Sequence, residues 1–224
     1  MSGTLVAYYF VAGELPSLPL WWEVALLALV IIPAVFALVW IVLPLQRARG
    51  LIALAAAFAV VAVLAEVGDL DVLANFAKLG AMTAFAFWFL GIFQELAWVT
   101  LVALIVPWVD AYSVWRGPTG DIVENHPGVF ETLSFSFRLP GEHSTANLGL
   151  PDLLFFALFL AAAARFALRP GWTWLAMVAG LGATIAIAVW ADASGLPALP
   201  ALSAGFLVPN ADRIWASLRA LRRT

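Results

Sequence analysis

Two aspartates beside long apolar stretches are the residues of this sequence most able to do chemistry. Asp110 follows the apolar run from Trp98 to Val109, and Asp152 stands just after Pro151, where another apolar run begins. An ionisable group within a membrane-spanning segment is costly to bury, which makes each a functional candidate. Two carboxylates that meet at low dielectric cannot both ionise cheaply, so one keeps its proton while the other acts as a base. Such a pair can activate water for attack on a carbonyl.

The composition places these aspartates in a membrane protein. The chain has 224 residues, of which 64% are hydrophobic and 11% charged, and its mean hydropathy is +1.00. A soluble domain needs about 25% charged residues to cover its surface. The absence of Cys excludes disulfides, thiol catalysis and iron–sulfur ligation. The net charge of -3 identifies no nucleic-acid partner.

Seven apolar segments predict an all-α polytopic membrane protein, on the requirement of ~20 residues per span. The predicted spans are 22–45, 51–67, 72–91, 95–115, 150–168, 172–190 and 197–210. We treat 1–224 as one membrane-embedded domain. Its parts are the first three helices (1–94), helices four to seven (95–210) and a basic tail (211–224).

Arginines fix the predicted orientation. With seven spans, eight arginines fall on one face of the membrane: Arg47, Arg49, Arg165, Arg169, Arg213, Arg219, Arg222 and Arg223. The loops of the other face carry Arg116 and Arg138. The positive-inside rule then places the C-terminus in the cytoplasm and the N-terminus outside.

One connection, 116–149, is long, and part of it predicts a β-strand. Apolar residues alternate there with polar ones at every second position, as expected of a strand with one apolar face. The apolar positions are Leu133, Phe135, Phe137 and Leu139. The segment is either a hairpin resting on the membrane surface or an exposed edge that pairs with an extended peptide.

Helices four and five are antiparallel, so Asp110 and Asp152 are predicted at a similar depth near the outer face. With a rise of ~1.5 Å per residue, Asp110 lies on the order of 8 Å from its helix end. The last span opens with Pro197 and Pro200, whose missing N–H groups leave irregular backbone at the same end. Simpler interpretations exist for each feature: a helix N-cap for Asp152, an interfacial or cation-binding residue for Asp110, and an ordinary helix entry for the prolines.

Three motifs in this order resemble the presenilin and signal peptide peptidase family of intramembrane aspartyl proteases. Asp110–Val114, with the sequence DAYSV and followed by Gly117-Pro118, resembles the first catalytic-aspartate helix. Gly149–Asp152, GLPD before an apolar helix, resembles the Gly-x-Gly-Asp motif, and Pro197–Leu199 resembles the Pro-Ala-Leu motif. The resemblance covers about 95–210.

The resemblance implies a presenilin-like fold and an endopeptidase that hydrolyses peptide bonds within membrane-spanning segments or signal peptides. Asp110 and Asp152 would be the catalytic dyad. The residues expected to contact substrate are Gly149, Pro197, Ala198, Leu199, Leu133, Phe135 and Phe137. Single-span proteins with a cytoplasmic N-terminus are the expected partners, the bilayer is the expected environment, and no metal or cofactor is expected.

The sequence also departs from the family. Val109 replaces the usual aromatic residue, Pro151 replaces the Gly before the second aspartate, and two N-terminal spans are missing from the usual nine. Two other functions fit the same residues: a transporter or channel that uses the aspartates, with Lys78, Gln94 and Glu95 adding polarity, or a catalytically silent scaffold that binds helices. Oligomeric state is open. Neither His126 nor His143 lies in a span, which argues against serine catalysis of the rhomboid type.

Overall fold

A computed structural model of the chain describes residues 2–116, 132, 134–141, 145–193 and 196–221. Within these ranges the protein is helical, with one two-stranded sheet. The α-helices are α1 (Ser2–Val11), α2 (Leu20–Leu26), α3 (Ile32–Val42), α4 (Leu51–Val67), α5 (Asp71–Leu90), α6 (Leu96–Arg116), α7 (Leu150–Arg165), α8 (Pro170–Trp190) and α9 (Leu199–Leu221). The strands are β1 (Ser134–Arg138) and β2 (Thr145–Gly149).

Helices α2 and α3 belong to one continuous helical segment, Leu20–Arg47. A π-helical turn, Leu27–Ile31, joins them. Pro33, in the first turn of α3, has no N–H to donate to the preceding turn, and a missing donor of this kind is a common cause of a local change in helical winding. The segment ends in a 3-10 turn, Leu43–Arg47.

Four helical segments are long and apolar enough to cross a membrane, which is consistent with a membrane protein. They are Leu20–Arg47, Asp71–Leu90, Leu96–Arg116 and Pro170–Trp190. Helix α4 is apolar but has 17 residues, and α7 has 16. Seven spans were predicted, and the remaining three predicted segments coincide with α4, α7 and α9.

The last helix is longer than predicted. The apolar segment 197–210 was expected to end before a basic tail, but α9 runs to Leu221 through Pro209. The sequence after Asn210 is rich in Ala, Leu and Arg, which favour helix. Arg169 also holds this region through two 2.7 Å bonds to Asp212.

Helix α7 forms the centre of the bundle. All residues from Phe156 to Ala163 are fully buried. The helix packs against α5, α8 and α9. Helices α8 and α9 approach closely at Gly205, where an added Cβ would lie 2.7 Å from the backbone nitrogen of Met177. A short helix at the centre of the fold is therefore surrounded by protein, and its first turn carries Asp152.

The two ends of the bundle differ in chemistry. At one end, here called the basic end, Arg165 Nη1 donates to the Leu90 carbonyl at 2.8 Å and Arg213 Nη1 donates to the Leu168 carbonyl at 3.0 Å. At the other end, here called the hairpin end, β1 and β2 pair in antiparallel register. The predicted strand is thus confirmed, over Ser134–Arg138.

Candidate aspartate-pair site

Asp152 is placed by the junction between β2 and α7. Gly149, the last residue of β2, is the N-cap of α7 with extended backbone, at φ -60° and ψ 147°. Asp152 is the third helical residue, and its carboxylate accepts a hydrogen bond from the Gly149 N–H. This bond satisfies a backbone donor at the helix start, as the third helical residue does in a capping box. Asp152 is therefore not the N-cap, but its carboxylate does support the helix start.

Pro151 fits this turn without loss of a bond. It occupies one of the first two helical positions of α7, where the backbone N–H has no partner within the helix and the fixed φ of proline suits helical geometry. Pro151 thus leaves the bond between Gly149 and Asp152 intact.

Asp110 lies on α6, one turn after Pro107, which stands inside the helix. Its Oδ2 accepts a 3.0 Å hydrogen bond from the backbone N–H of Leu199. Leu199 begins α9, and Ala198 accepts the first backbone bonds of that helix from Ala201 and Leu202. The carboxylate of Asp110 therefore caps α9 from a neighbouring helix, using an N–H that the helix cannot satisfy itself.

The two aspartates come together at the hairpin end. Asp110 is close enough for its charge to act on the carboxyl group of Asp152, and both residues are partly exposed. Each carboxyl group is fixed by one backbone N–H, from Leu199 and from Gly149. Each group can therefore be held in place while it retains an oxygen for exchange of a proton with a substrate or water.

The outer edge of β1 is covered by α5. The Asn75 side chain donates to the Ser136 carbonyl and accepts from the Ser136 N–H, both at 3.1 Å. Lys78 Nζ lies 3.4 Å from the Ser134 carbonyl and 3.0 Å from Glu66 Oε2. Since the N–H and C=O of a strand residue point to the same side, the Asn75 amide occupies the position of a neighbouring strand.

Helix α1 covers the same edge. The hydroxyls of Tyr8 and Tyr9 donate to the carbonyls of Arg138 and Ser136, at 2.8 and 3.0 Å. Burial raises the pKa of the Tyr9 hydroxyl, so it remains a donor. The turn after β1 is held as well: Gly141, at φ +69°, donates its N–H to the Ala12 carbonyl at 3.0 Å.

The residues predicted to contact substrate fall into two groups. Gly149, Ala198 and Leu199 lie beside the aspartates, and Pro197 directly precedes that cluster. Phe135 and Phe137 are 0% and 1% exposed, and their side chains pack into the core. Leu133 lies outside the described residues, as do Gly117, Pro118, His126 and His143.

The other polar residues singled out by the sequence lie elsewhere. Lys78 is 9% exposed and tied to Glu66 and the hairpin, whereas Gln94 and Glu95 line a cavity of about 300 Å³ at the basic end. Across the part of the chain that the structure describes, no three His, Cys, Asp or Glu side chains are grouped to hold a metal ion.

Sequence reasoning missed Asn75 and the tyrosines of α1. The available signal was on α5, where Asn75 and Lys78 are spaced three apart in an apolar helix and so lie on one face.

Comparisons with protein-family models, with curated proteins and with solved structures found no match to this chain.

Proposed function

We propose that the protein is an intramembrane aspartyl endopeptidase of the presenilin and signal peptide peptidase type, with Asp110 and Asp152 as its catalytic pair. The observation that carries the proposal is the convergence of two carboxyl groups from separate apolar helices. Each is fixed by a backbone N–H at a helix start, and the Leu199 donor belongs to the motif that resembles Pro-Ala-Leu.

The reaction needs one proton shared between the two carboxyl groups. The ionised carboxylate removes a proton from water, whose oxygen attacks the scissile carbonyl carbon, while the protonated group donates to the carbonyl oxygen. The tetrahedral intermediate then collapses: the C–N bond breaks, the amine takes a proton, and the new acid is released. The proton belongs to the pair, so neither aspartate is assigned to one role.

The hairpin supports recognition of an extended substrate. A helical peptide bond is shielded by its own hydrogen bonds and side chains, so a membrane-spanning substrate must unwind before cleavage. Because Asn75, Tyr9 and Lys78 cover β1, we propose that an extended substrate pairs with β2. It leads through Gly149 directly to Asp152, which would bring a paired segment to the carboxyl groups.

The substrate class follows from the proposed orientation. With seven spans and the basic end in the cytoplasm, the aspartate pair lies near the outer face of the bilayer. Substrates would then be single-span proteins or signal peptides whose N-terminus is cytoplasmic. Reporter fusions at the loops before α4 and after α6 test this orientation, and a reversed pattern would reject it.

A transporter that uses the same aspartates is the main alternative. In the described structure Lys78 is bound to Glu66 and to the hairpin, and Glu95 lies at the basic end. Neither residue is shown to join the aspartates in one polar path, and this favours the protease.

The deciding experiment is cleavage of a fluorogenic single-span peptide by the reconstituted protein. Wild type, Asp110→Ala and Asp152→Ala are compared, with Asp192→Asn as a control. Asp192 is exposed and lies beyond the end of α8, and Asn removes its charge while it tolerates the backbone φ of 51°. We expect cleavage by wild type and Asp192→Asn and none by the other two. Cleavage that survives in Asp110→Ala or Asp152→Ala, or no cleavage by wild type with any of several peptides, would refute the proposal.

A further inference from the structure

A second site lies at the basic end, at the opposite end of α7 from Asp152. A cavity of about 650 Å³ opens between the end of the Leu20–Arg47 segment, the start of α4 and the ends of α5 and α7. Its lining includes Gln46, Arg47, Ile52, Trp88 and Arg165. No residue that lines it is acidic.

The two guanidinium groups in this cavity have no carboxylate partner. Arg165 donates one bond to the Leu90 carbonyl, and Arg47 is exposed; neither forms an ion pair with any residue in the described ranges. Two other arginines at this end have acidic neighbours: Arg169 is paired with Asp212, and Arg213 shares the smaller cavity with Glu95. The larger cavity therefore concentrates positive charge and suits an anion.

A buried polar atom in the same lining also lacks a partner. Gln46 Oε1 is buried and accepts no hydrogen bond in the described structure. Leaving a buried amide unsatisfied is unfavourable, so a ligand that carries a hydrogen-bond donor would be stabilised there. The adjoining start of α4 has Gly50 as its N-cap and no side-chain cap, which leaves backbone N–H groups available to an anion.

The remaining wall is apolar and faces outward. Ile52 is 44% exposed and Trp88 is 38% exposed, and both line the cavity beside the arginines. Tryptophan at this level of a spanning helix is typical of the membrane interface. A ligand here meets cations at one side and a hydrocarbon-compatible surface at the other, which is the pattern of a phospholipid.

We propose that this cavity binds the phosphate group of an anionic phospholipid whose headgroup also carries a hydroxyl. Arg47 and Arg165 would hold the phosphate, Gln46 would accept from the hydroxyl, and an acyl chain would lie along Ile52 and Trp88. Basic pockets between spanning helices on the cytoplasmic side bind such headgroups in general. This inference is independent of the proposed protease activity, since it uses the other end of the molecule.

The probe is the thermal unfolding of the purified full-length protein in nonionic detergent, followed by tryptophan fluorescence. Phosphatidylglycerol, phosphatidylcholine and inorganic phosphate are titrated separately. We expect phosphatidylglycerol alone to raise the Tm saturably. An equal rise with phosphatidylcholine would overturn the proposal, and an equal rise with inorganic phosphate would assign the site to a free anion and overturn the lipid assignment.

Three variants test the residues. Arg47→Gln, at an exposed side chain with no described partner, should weaken the apparent affinity for phosphatidylglycerol by roughly tenfold. Arg49→Gln, two residues away and outside the cavity lining, should leave it unchanged; equal weakening would mean general surface charge and overturn the proposal. Gln46→Leu removes the unsatisfied amide, so the lipid-free Tm should rise while the gain from phosphatidylglycerol falls. If phosphatidylglycerol raises the Tm of Gln46→Leu as much as that of wild type, Gln46 does not take part in the site.

Discussion

The backbone N–H of Leu199 donates a 3.0 Å hydrogen bond to Oδ2 of Asp110, and this bond joins the start of α9 to the middle of α6. A carboxylate at a helix start is stabilised by the exposed N–H groups and by the helix dipole. Asp110 thus has a structural role whether or not it is catalytic. The two roles can be separated, because capping needs an acceptor oxygen whereas acid–base catalysis needs a group that titrates.

Asp110→Asn should abolish peptide cleavage and leave stability close to that of wild type, because the amide oxygen still accepts from Leu199. Asp110→Ala should abolish cleavage and also lose about 1 kcal/mol of stability, the usual cost of removing a cap. Chemical unfolding in detergent and the fluorogenic assay measure the two effects. Substantial cleavage by Asp110→Asn would exclude a titrating role for this residue.

The link between α5 and β1 predicts a second outcome. Asn75→Ala leaves the Ser136 N–H without a partner, while the Ser136 carbonyl keeps its bond from the Tyr9 hydroxyl. An unsatisfied buried group costs about 1–3 kcal/mol. We expect faster hydrogen exchange across Ser134–Arg138 and a lower Tm. If the covered edge directs substrate to β2, cleavage should also become less selective among peptides.

Tyr8→Phe is the matched control for Asn75→Ala, because it removes one bond to the same strand, at the Arg138 carbonyl. Tyr8→Phe should raise the hydrogen-exchange rate of β1 less than Asn75→Ala does, and it should leave the selectivity among peptide substrates unchanged. Equal effects of the two variants on selection would show that loosening of the hairpin, and not the opened edge at Ser136, is responsible.

The close approach of Gly149 to the Asp152 carboxyl group predicts a third outcome. A Cβ added at this residue would lie 3.3 Å from Asp152 Oδ2, a tight contact, although the backbone at φ -60° accepts any residue. Gly149→Ala should therefore displace Asp152 and lower kcat with little effect on KM. Gly171→Ala is the control, because a Cβ there meets nothing within 4 Å. An unchanged kcat in Gly149→Ala would show that the carboxyl group tolerates the displacement.

The sequence predicted the parts of this fold that local pattern controls. Apolar segments separated by turn residues located the long helices, and the alternation from Leu133 to Leu139 located β1. Neighbouring spans are antiparallel, and this predicts that Asp110, Asp152 and Leu199 lie at the same end of the bundle, the hairpin end. These features depend on hydrophobicity and periodicity, which are readable residue by residue.

Features that depend on distant pairs were not predictable. Asn75 and Ser136 are 61 positions apart and Tyr9 and Ser136 are 127 apart, so no local pattern joins them. The bonds from α1 and α5 to β1 could not be predicted for the same reason, since alternation identifies the faces of a strand but not what covers its edge. The end of α9 was missed because charged residues after Asn210 suggested a tail, while helix propensity and the Arg169–Asp212 pair continue the helix.

Pro151 gives the last prediction, since it stands where the resembling family has Gly. Its ring lies in the first turn of α7 and costs no hydrogen bond. It should therefore stabilise the protein by reducing the conformational freedom of the unfolded chain. Pro151→Gly should lower stability by about 1 kcal/mol and keep cleavage within a few-fold of wild type, because the bond from Gly149 to Asp152 remains. Pro151→Ala separates the two effects of the change: it removes the ring but adds little backbone freedom, so its stability should lie between the other two. A large gain in cleavage by both variants would show instead that the ring restricts access to Asp152, and a gain by Pro151→Gly alone would show that catalysis needs a more flexible turn.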